Sequence, residues 1–390
     1  LDFPQKFNLN ISLLDNIVTI CFTSTFSKFT FPFVNGLAFI ALFWVTTSSI
    51  YRDLERVSYW SLGGFVFGIL VGFAFQKLVL RFSFSNKPLH KPVLLSAALL
   101  LELGLGFFLI GPFIWVQLRL TPVSNQHSIC CETPLEYGAT SYEKVQLSTP
   151  DAATISGWYV APTSQSGKVI ILIHGYGYDR RGTDFQTKIL ISAGYGVLLY
   201  DLRSHGESTG KLNSFNRMKV YSSDLSQVVN YLKQKPEVQK IGVVGISLGA
   251  FATLNSSPET LNSFAGLWMD GLRFENFGAQ LPINNAGDYF KRIFDQQTRW
   301  LARVYSNESI APPSPLFVQI IPTITKPKLM LVSSGLDESE RATNEKLVPL
   351  LGDNKELWII ENAWHIGGRF DAPDEYRERL LAFFAQAFSH

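Results

Sequence analysis

Cysteine is scarce in this chain of 390 residues: it has three, Cys21, Cys130 and Cys131, and none beyond position 131. So few cannot build a disulfide framework, and with six histidines in the whole chain no zinc-ligand spacing is present. Cys130 and Cys131 are read as free or lipidated thiols. Charge is also thin, at 17% charged residues and a net charge of +2, with Lys and Arg dispersed along the chain. The sustained basic face on which nucleic-acid binding relies is therefore missing. Internal repeats and low-complexity tracts are absent as well, which excludes solenoid and low-complexity architectures.

The shortage of charge is uneven. Between Phe31 and Leu118 long stretches carry almost none, whereas from Pro134 onward charged and apolar residues alternate as in a globular enzyme. A membrane-spanning helix needs about 20 mainly apolar residues. Tyr59–Leu80 and Val93–Leu118 meet that length, and Phe33–Ile50 is shorter but uncharged. Ile11–Phe26 is more polar and reads as an interfacial helix or a further span. Several apolar segments separated by charged connectors suggest a polytopic anchor rather than one signal-peptide core. The chain begins with Leu rather than Met, so an upstream segment is left open. Lys77, Arg81, Lys87 and Lys91 cluster around the last connector. The positive-inside tendency then places that connector in the cytoplasm and the C-terminal domain on the far side. Glu102 falls inside the last span, where an ionisable group is costly; it is read as protonated or packed against a neighbouring span.

A linker over residues 120–137, with Pro122 and Pro134, leads into a domain over 138–390 in which strand-length and helix-length segments alternate. Lys168–Ile173 is an uninterrupted apolar run, as in strands buried on both faces of a parallel sheet. Further strands are predicted over 145–147, 155–160, 195–200, 241–244, 265–269, 329–332 and 357–360, and helices over 184–193, 220–233 and 374–388. The expected fold class is α/β, a doubly wound and mainly parallel sheet, preceded by an all-α transmembrane segment over 1–119.

Chemistry concentrates in four motifs. Gly245-Ile246-Ser247-Leu248-Gly249 follows an apolar strand and precedes a helix-length segment. There a serine can sit on a sharp strand-to-helix turn that its flanking glycines keep uncrowded. The others are Ile173-His174-Gly175-Tyr176-Gly177, Tyr200-Asp201-Leu202-Arg203-Ser204-His205-Gly206-Glu207-Ser208, and the late His365 in a loop after a predicted strand. Together, and in this order, they resemble the α/β-hydrolase superfamily, especially its membrane-anchored esterase/lipase and serine-aminopeptidase-like branches. The likeness covers roughly Tyr137–Phe388.

The resemblance implies a triad in the chain order serine, acid, histidine. Ser247 is the nucleophile, and His365 is the base, since the only other histidine beyond Ser247 is the terminal His390. The acid should lie in Ser333-Ser334-Gly335-Leu336-Asp337-Glu338-Ser339-Glu340, where Asp337 is the choice and Glu340 the competitor. The loop lacks the Asp, hydrophobic residue and Pro usual in the superfamily. Backbone N–H groups of Leu248 and Tyr176 would form the oxyanion hole. His174, Asp201, Arg203 and His205 are read as structural. The insertion over 271–327, with Tyr289–Phe294 and Trp300–Tyr305 rich in aromatic and basic residues, is expected to form a lid that sets substrate choice. No metal or other cofactor is called for. The expected function is a membrane-anchored serine hydrolase cleaving an ester, or an amide, of a small acyl substrate. The alternatives are a non-catalytic scaffold in the bilayer and an acyltransferase using the same residues. Oligomeric state is not legible.

Overall fold

The computed structural model describes residues 131–165, 167–273, 283–284, 286–306 and 310–389, together with 65–74 and scattered positions between 32 and 120. The chain divides into two compact units, one of residues 1–118 with 290–305, the other of 119–289 with 306–390.

The second unit is built on an eight-stranded sheet in the order β1-β2-β4-β3-β5-β6-β7-β8. The strands are β1 (Glu143–Ser148), β2 (Thr154–Val160), β3 (Lys168–Ile173), β4 (Gly196–Tyr200), β5 (Lys240–Ile246), β6 (Gly266–Asp270), β7 (Lys328–Ser334) and β8 (Lys355–Ile360). The pairs β1–β2 and β2–β4 are antiparallel; the remaining pairs, from β4 across to β8, are parallel. The expected doubly wound, mainly parallel sheet is what forms.

Strand periodicity explains the two cores. Because successive side chains point to opposite faces, Val169, Ile171 and Ile173 enter one apolar cluster while Ile170 and Leu172 enter the other. β7 divides in the same way, with Leu329 and Leu331 on one face and Met330 and Val332 on the other. Helices α1 (Asp184–Ser192), α2 (Arg217–Lys233) and α3 (Leu248–Leu254) cover these faces, together with a C-terminal helix, Pro373–Ala387. α2 presents Tyr221, Leu225, Val228 and Leu232 to the first core at helical spacing. The C-terminal helix presents Tyr376, Leu380, Phe383 and Phe384 to the second.

In the first unit, residues 65–74 are helical. The Phe33 and Phe65 rings meet edge to face at 5.8 Å. Phe113 and Tyr305 do the same at 5.1 Å. Tyr305 ends helix α4 (Ala286–Tyr305), the regular part of the insertion, so residues 290–305 group with the N-terminal segment. No helix among the described residues is long and apolar enough to cross a membrane. Most of the three expected spans, all of Ile11–Phe26 and Glu102 itself lie outside the described residues. One cysteine expectation changes: Cys131 is disulfide-bonded, and is neither a free nor a lipidated thiol.

Candidate active site

β5 ends at Ile246, and Ser247 makes the turn into α3 with φ 48° and ψ −108°. A side chain bearing a Cβ rarely adopts such a backbone. The flanking glycines make the turn possible. A Cβ at Gly249 would sit 2.2 Å from the Ile173 carbonyl oxygen, and one at Gly245 would sit 2.7 Å from the backbone of Ala250. The turn is held from the adjacent strand, where the Ser247 N–H donates to the Asp270 carbonyl oxygen at 2.7 Å.

His365 comes to this turn from the loop after β8. Its Nε2 lies 3.0 Å from Ser247 Oγ, and its Nδ1 lies 2.7 Å from Glu340 Oε2. A carboxylate at Nδ1 fixes the N–H there, which leaves Nε2 free to accept the serine proton. The imidazole is partly open to solvent while the Glu340 side chain is fully buried. Ile366, directly after the histidine, has φ 55°, an outlier for a β-branched residue. The loop is therefore held in a costly conformation next to the imidazole.

The acid expectation is corrected in its geometry: Glu340, and not Asp337, meets His365. Asp337 is the N-cap of helix α5 (Glu338–Glu345), where its carboxylate accepts the Glu340 N–H at 3.1 Å. Glu340 then stands one turn in, aimed at the imidazole, with Oε1 accepting the Ser334 N–H at 2.6 Å. The sequence does hold a signal for this. Asp337-Glu338-Ser339-Glu340 is a helix-start pattern, Asp followed three residues later by Glu, and it marks Asp337 as occupied by capping.

Asp337, Glu340 and His365 bring ligand-type atoms within 4.8 Å of one another. As a metal centre the set fits poorly. The imidazole already joins Ser247 to Glu340, the second Glu340 oxygen holds a backbone N–H, and Asp337 is engaged by Arg273 and the helix cap. The donors form a hydrogen-bonded relay.

Gly175, in the turn after β3, passes over Ser247, where a Cβ on it would lie 3.6 Å from Ser247 Cβ. Tyr176 follows with an exposed ring set edge-on to His205 at 6.0 Å. Leu248 opens α3, so its N–H belongs to the first turn, which has no intrahelical acceptor. His174 Nε2 accepts from the Leu202 N–H at 2.9 Å, and burial with the neighbouring His205 pushes its pKa down to about 3. It is a neutral brace between the β3 and β4 turns. Asp201 and Arg203 also brace: Asp201 takes the buried Arg180 side chain at 2.7 Å, and Arg203 pairs with Asp224 of α2 at 2.6 Å and with Asp151.

Beneath the turn, Asp270 is buried at the end of β6 and accepts the Tyr376 hydroxyl proton at 2.8 Å. Burial, and then the charge of Glu340, push its pKa up to about 7. No motif in the chain singles out this buried acid.

Comparison with known proteins agrees with this picture. A family model described as "Serine aminopeptidase, S33" matches residues 164–269. The uncharacterized protein YqkD of Bacillus subtilis (strain 168) is 26% identical over 257 residues, 62% of this chain and 79% of that protein. Protein phosphatase methylesterase 1 of Schizosaccharomyces pombe is 30% identical over 152 residues, 36% of this chain and 44% of its own length. Among solved structures, the esterase Pf2001 of Pyrococcus furiosus superposes with a TM-score of 0.51 at 22% identity, covering 68% of this chain and 98% of the esterase. The chain has the α/β-hydrolase fold, and over residues 164–269 it is similar to that serine aminopeptidase family.

Proposed function

We propose that the protein is a serine hydrolase that cleaves esters through an acyl-enzyme on Ser247. The observation that carries this reading is the continuous contact from Ser247 Oγ to His365 Nε2 and from His365 Nδ1 to Glu340. In the first step His365 accepts the Ser247 proton as Oγ attacks the acyl carbonyl, and Glu340 stabilises the imidazolium that results. The N–H groups of Leu248 and Tyr176 receive the developing oxyanion. His365 protonates the leaving alcohol, and in the second step it draws a proton from water, which releases the acid and restores the serine.

The test is turnover by the purified full chain of short p-nitrophenyl esters and of aminoacyl anilides. Ester cleavage that is lost in Ser247→Ala supports the reading. The family model's description makes amide cleavage the first alternative, and exclusive anilide turnover would replace the esterase assignment with it. No turnover of either by folded protein would favour a non-catalytic scaffold.

The hydrolase is further proposed to be tethered to a bilayer with its catalytic unit outside the cytoplasm. The apolar segments up to Leu118 and the Lys and Arg residues between 77 and 91 support the tether and its orientation. The Cys131 disulfide also supports it, because such bonds persist in oxidising compartments. Protease treatment of sealed, right-side-out vesicles should digest the catalytic unit; protection of that unit would reverse the orientation.

A further inference from the structure

The acid loop holds a second carboxylate that the relay does not use. Asp337 is 5% exposed, and one of its oxygens, one of Glu340 and a His365 ring nitrogen all lie within 4.8 Å of one another. Two ionised carboxylates so close repel, and without compensation one of them tends to take up a proton. A cation supplies the compensation: Arg273 Nε stands 2.7 Å from Asp337 Oδ2. The other oxygen, Oδ1, caps α5 at the N–H of Glu340 itself. One side chain therefore fixes the backbone of the residue that grips His365. Arg273 follows the positive-φ Gly271 on the strap leaving β6. That strap is tied to α5 a second time, where Asn344 Nδ2 donates to the Leu272 carbonyl at 3.0 Å.

We propose that Asp337 is a positioning residue of the Ser247–His365–Glu340 relay and that Arg273 is its charge partner. The cap sets Glu340 against the imidazole, and the guanidinium keeps the second carboxylate from competing for it. This rests on the serine-hydrolase reading above. Asp270 on β6 senses the charge of Glu340 and also that of Arg369, on the short helix Gly368–Asp371 after His365. Asp270 and Arg369 stay constant across the variants below.

The experiment follows kcat/KM of the full chain on a short p-nitrophenyl ester from about pH 5 to about pH 9, where the acid limb reports protonation of the base. Asp337→Asn keeps a capping oxygen and should lose about threefold in kcat, whereas Asp337→Ala removes the cap and should lose about thirtyfold, with KM unchanged in both. Arg273→Gln leaves the Asp337 charge uncompensated. The extra negative charge favours the protonated imidazole, so the acid limb should move to higher pH, and adding Asp337→Asn should bring it back. A pair that served only to hold the fold would lower activity without moving the limb. If Asp337→Asn is as inactive as Glu340→Gln, Asp337 is itself the partner of His365 and the proposal fails; it fails equally if the limb stays put in Arg273→Gln. Should Asp337→Ala not fold, the Asn and Gln variants carry the test alone. A folded wild type that neither turns over ester nor takes a fluorophosphonate would instead sink the hydrolase reading, and this pairing with it.

Discussion

Ser247 and Asp270 are joined main chain to main chain: the N–H of the serine donates to the carbonyl oxygen of the aspartate at 2.7 Å. The bond ties the turn after β5 to the end of β6 and holds Ser247 at φ 48°. Ser247 thus sits in a backbone conformation that the surrounding sheet imposes on it.

That conformation carries a cost, of order 1 to 3 kcal/mol for a residue with a Cβ. Ser247→Gly should therefore abolish turnover while raising thermal stability, and Ser247→Ala should abolish turnover with little change in stability. Thermal melts of the three proteins, followed by tryptophan fluorescence, check this. Equal melting temperatures for all three would show that the turn is unstrained.

Room in the turn is as specific as its strain. Gly249→Ala would push a methyl group to within 2.2 Å of the Ile173 carbonyl oxygen, which is backbone of the central strand and cannot step aside. We expect a destabilisation of about 2 kcal/mol or more, together with loss of activity. Urea unfolding of the purified variant measures it; a midpoint equal to wild type would contradict the packing described.

Asp270 predicts a pH dependence with a definite sign. Its carboxyl stays protonated in the fold up to about pH 7, whereas in the unfolded chain it ionises near pH 4. Stability from this group is therefore complete below about pH 4, declines as pH rises and is lost by about pH 7, a total of roughly 4 kcal/mol at most. In Asp270→Asn, which keeps an oxygen for the Tyr376 hydroxyl, that decline should vanish. Unfolding midpoints of both proteins at about pH 5 and about pH 8 give the comparison, with the variant gaining on wild type at the higher pH. Parallel behaviour of the two would mean that Asp270 ionises normally. The buried His174 acts in the opposite sense, its contribution being lost as pH falls from about 6.5 towards about 3, and it cancels in the difference.

Glu340→Gln should lower kcat/KM by about 10³ to 10⁴, because an amide can offer its N–H to Nδ1 and favour the wrong tautomer. Steady-state kinetics on the same ester decides it. A loss smaller than tenfold would remove Glu340 from the relay.

Much of this architecture could be read from the chain. Val169–Ile173 has no polar residue, and a strand buried on both faces requires that. Gly245 and Gly249 bracket Ser247 because any side chain there meets backbone. The acid was harder to place. Asp337 and Glu340 are three residues apart, and a choice made by distance from the strand overlooks that a helix starts at 338 and turns the later residue inward. Asp270 and Ile366 were not legible at all. The burial of Asp270 depends on Trp268, Tyr376 and Gln186 converging from three separate elements. The positive φ of Ile366 is imposed by its loop, against the preference of a β-branched residue. The apolar segments before Leu118 fall mostly among residues outside those described, so the reading of them stays with hydropathy.

An activated hydroxyl at Ser247 should form a covalent adduct, and locating that adduct tests the proposed chemistry at its source. Wild-type protein treated with a fluorophosphonate at neutral pH and digested should carry the phosphonyl group on the peptide containing Ser247. The group should be missing from Ser247→Ala and strongly reduced in Glu340→Gln. Folded wild-type protein that takes up no phosphonyl group, or carries it on another residue, would show that Ser247 is not an activated nucleophile.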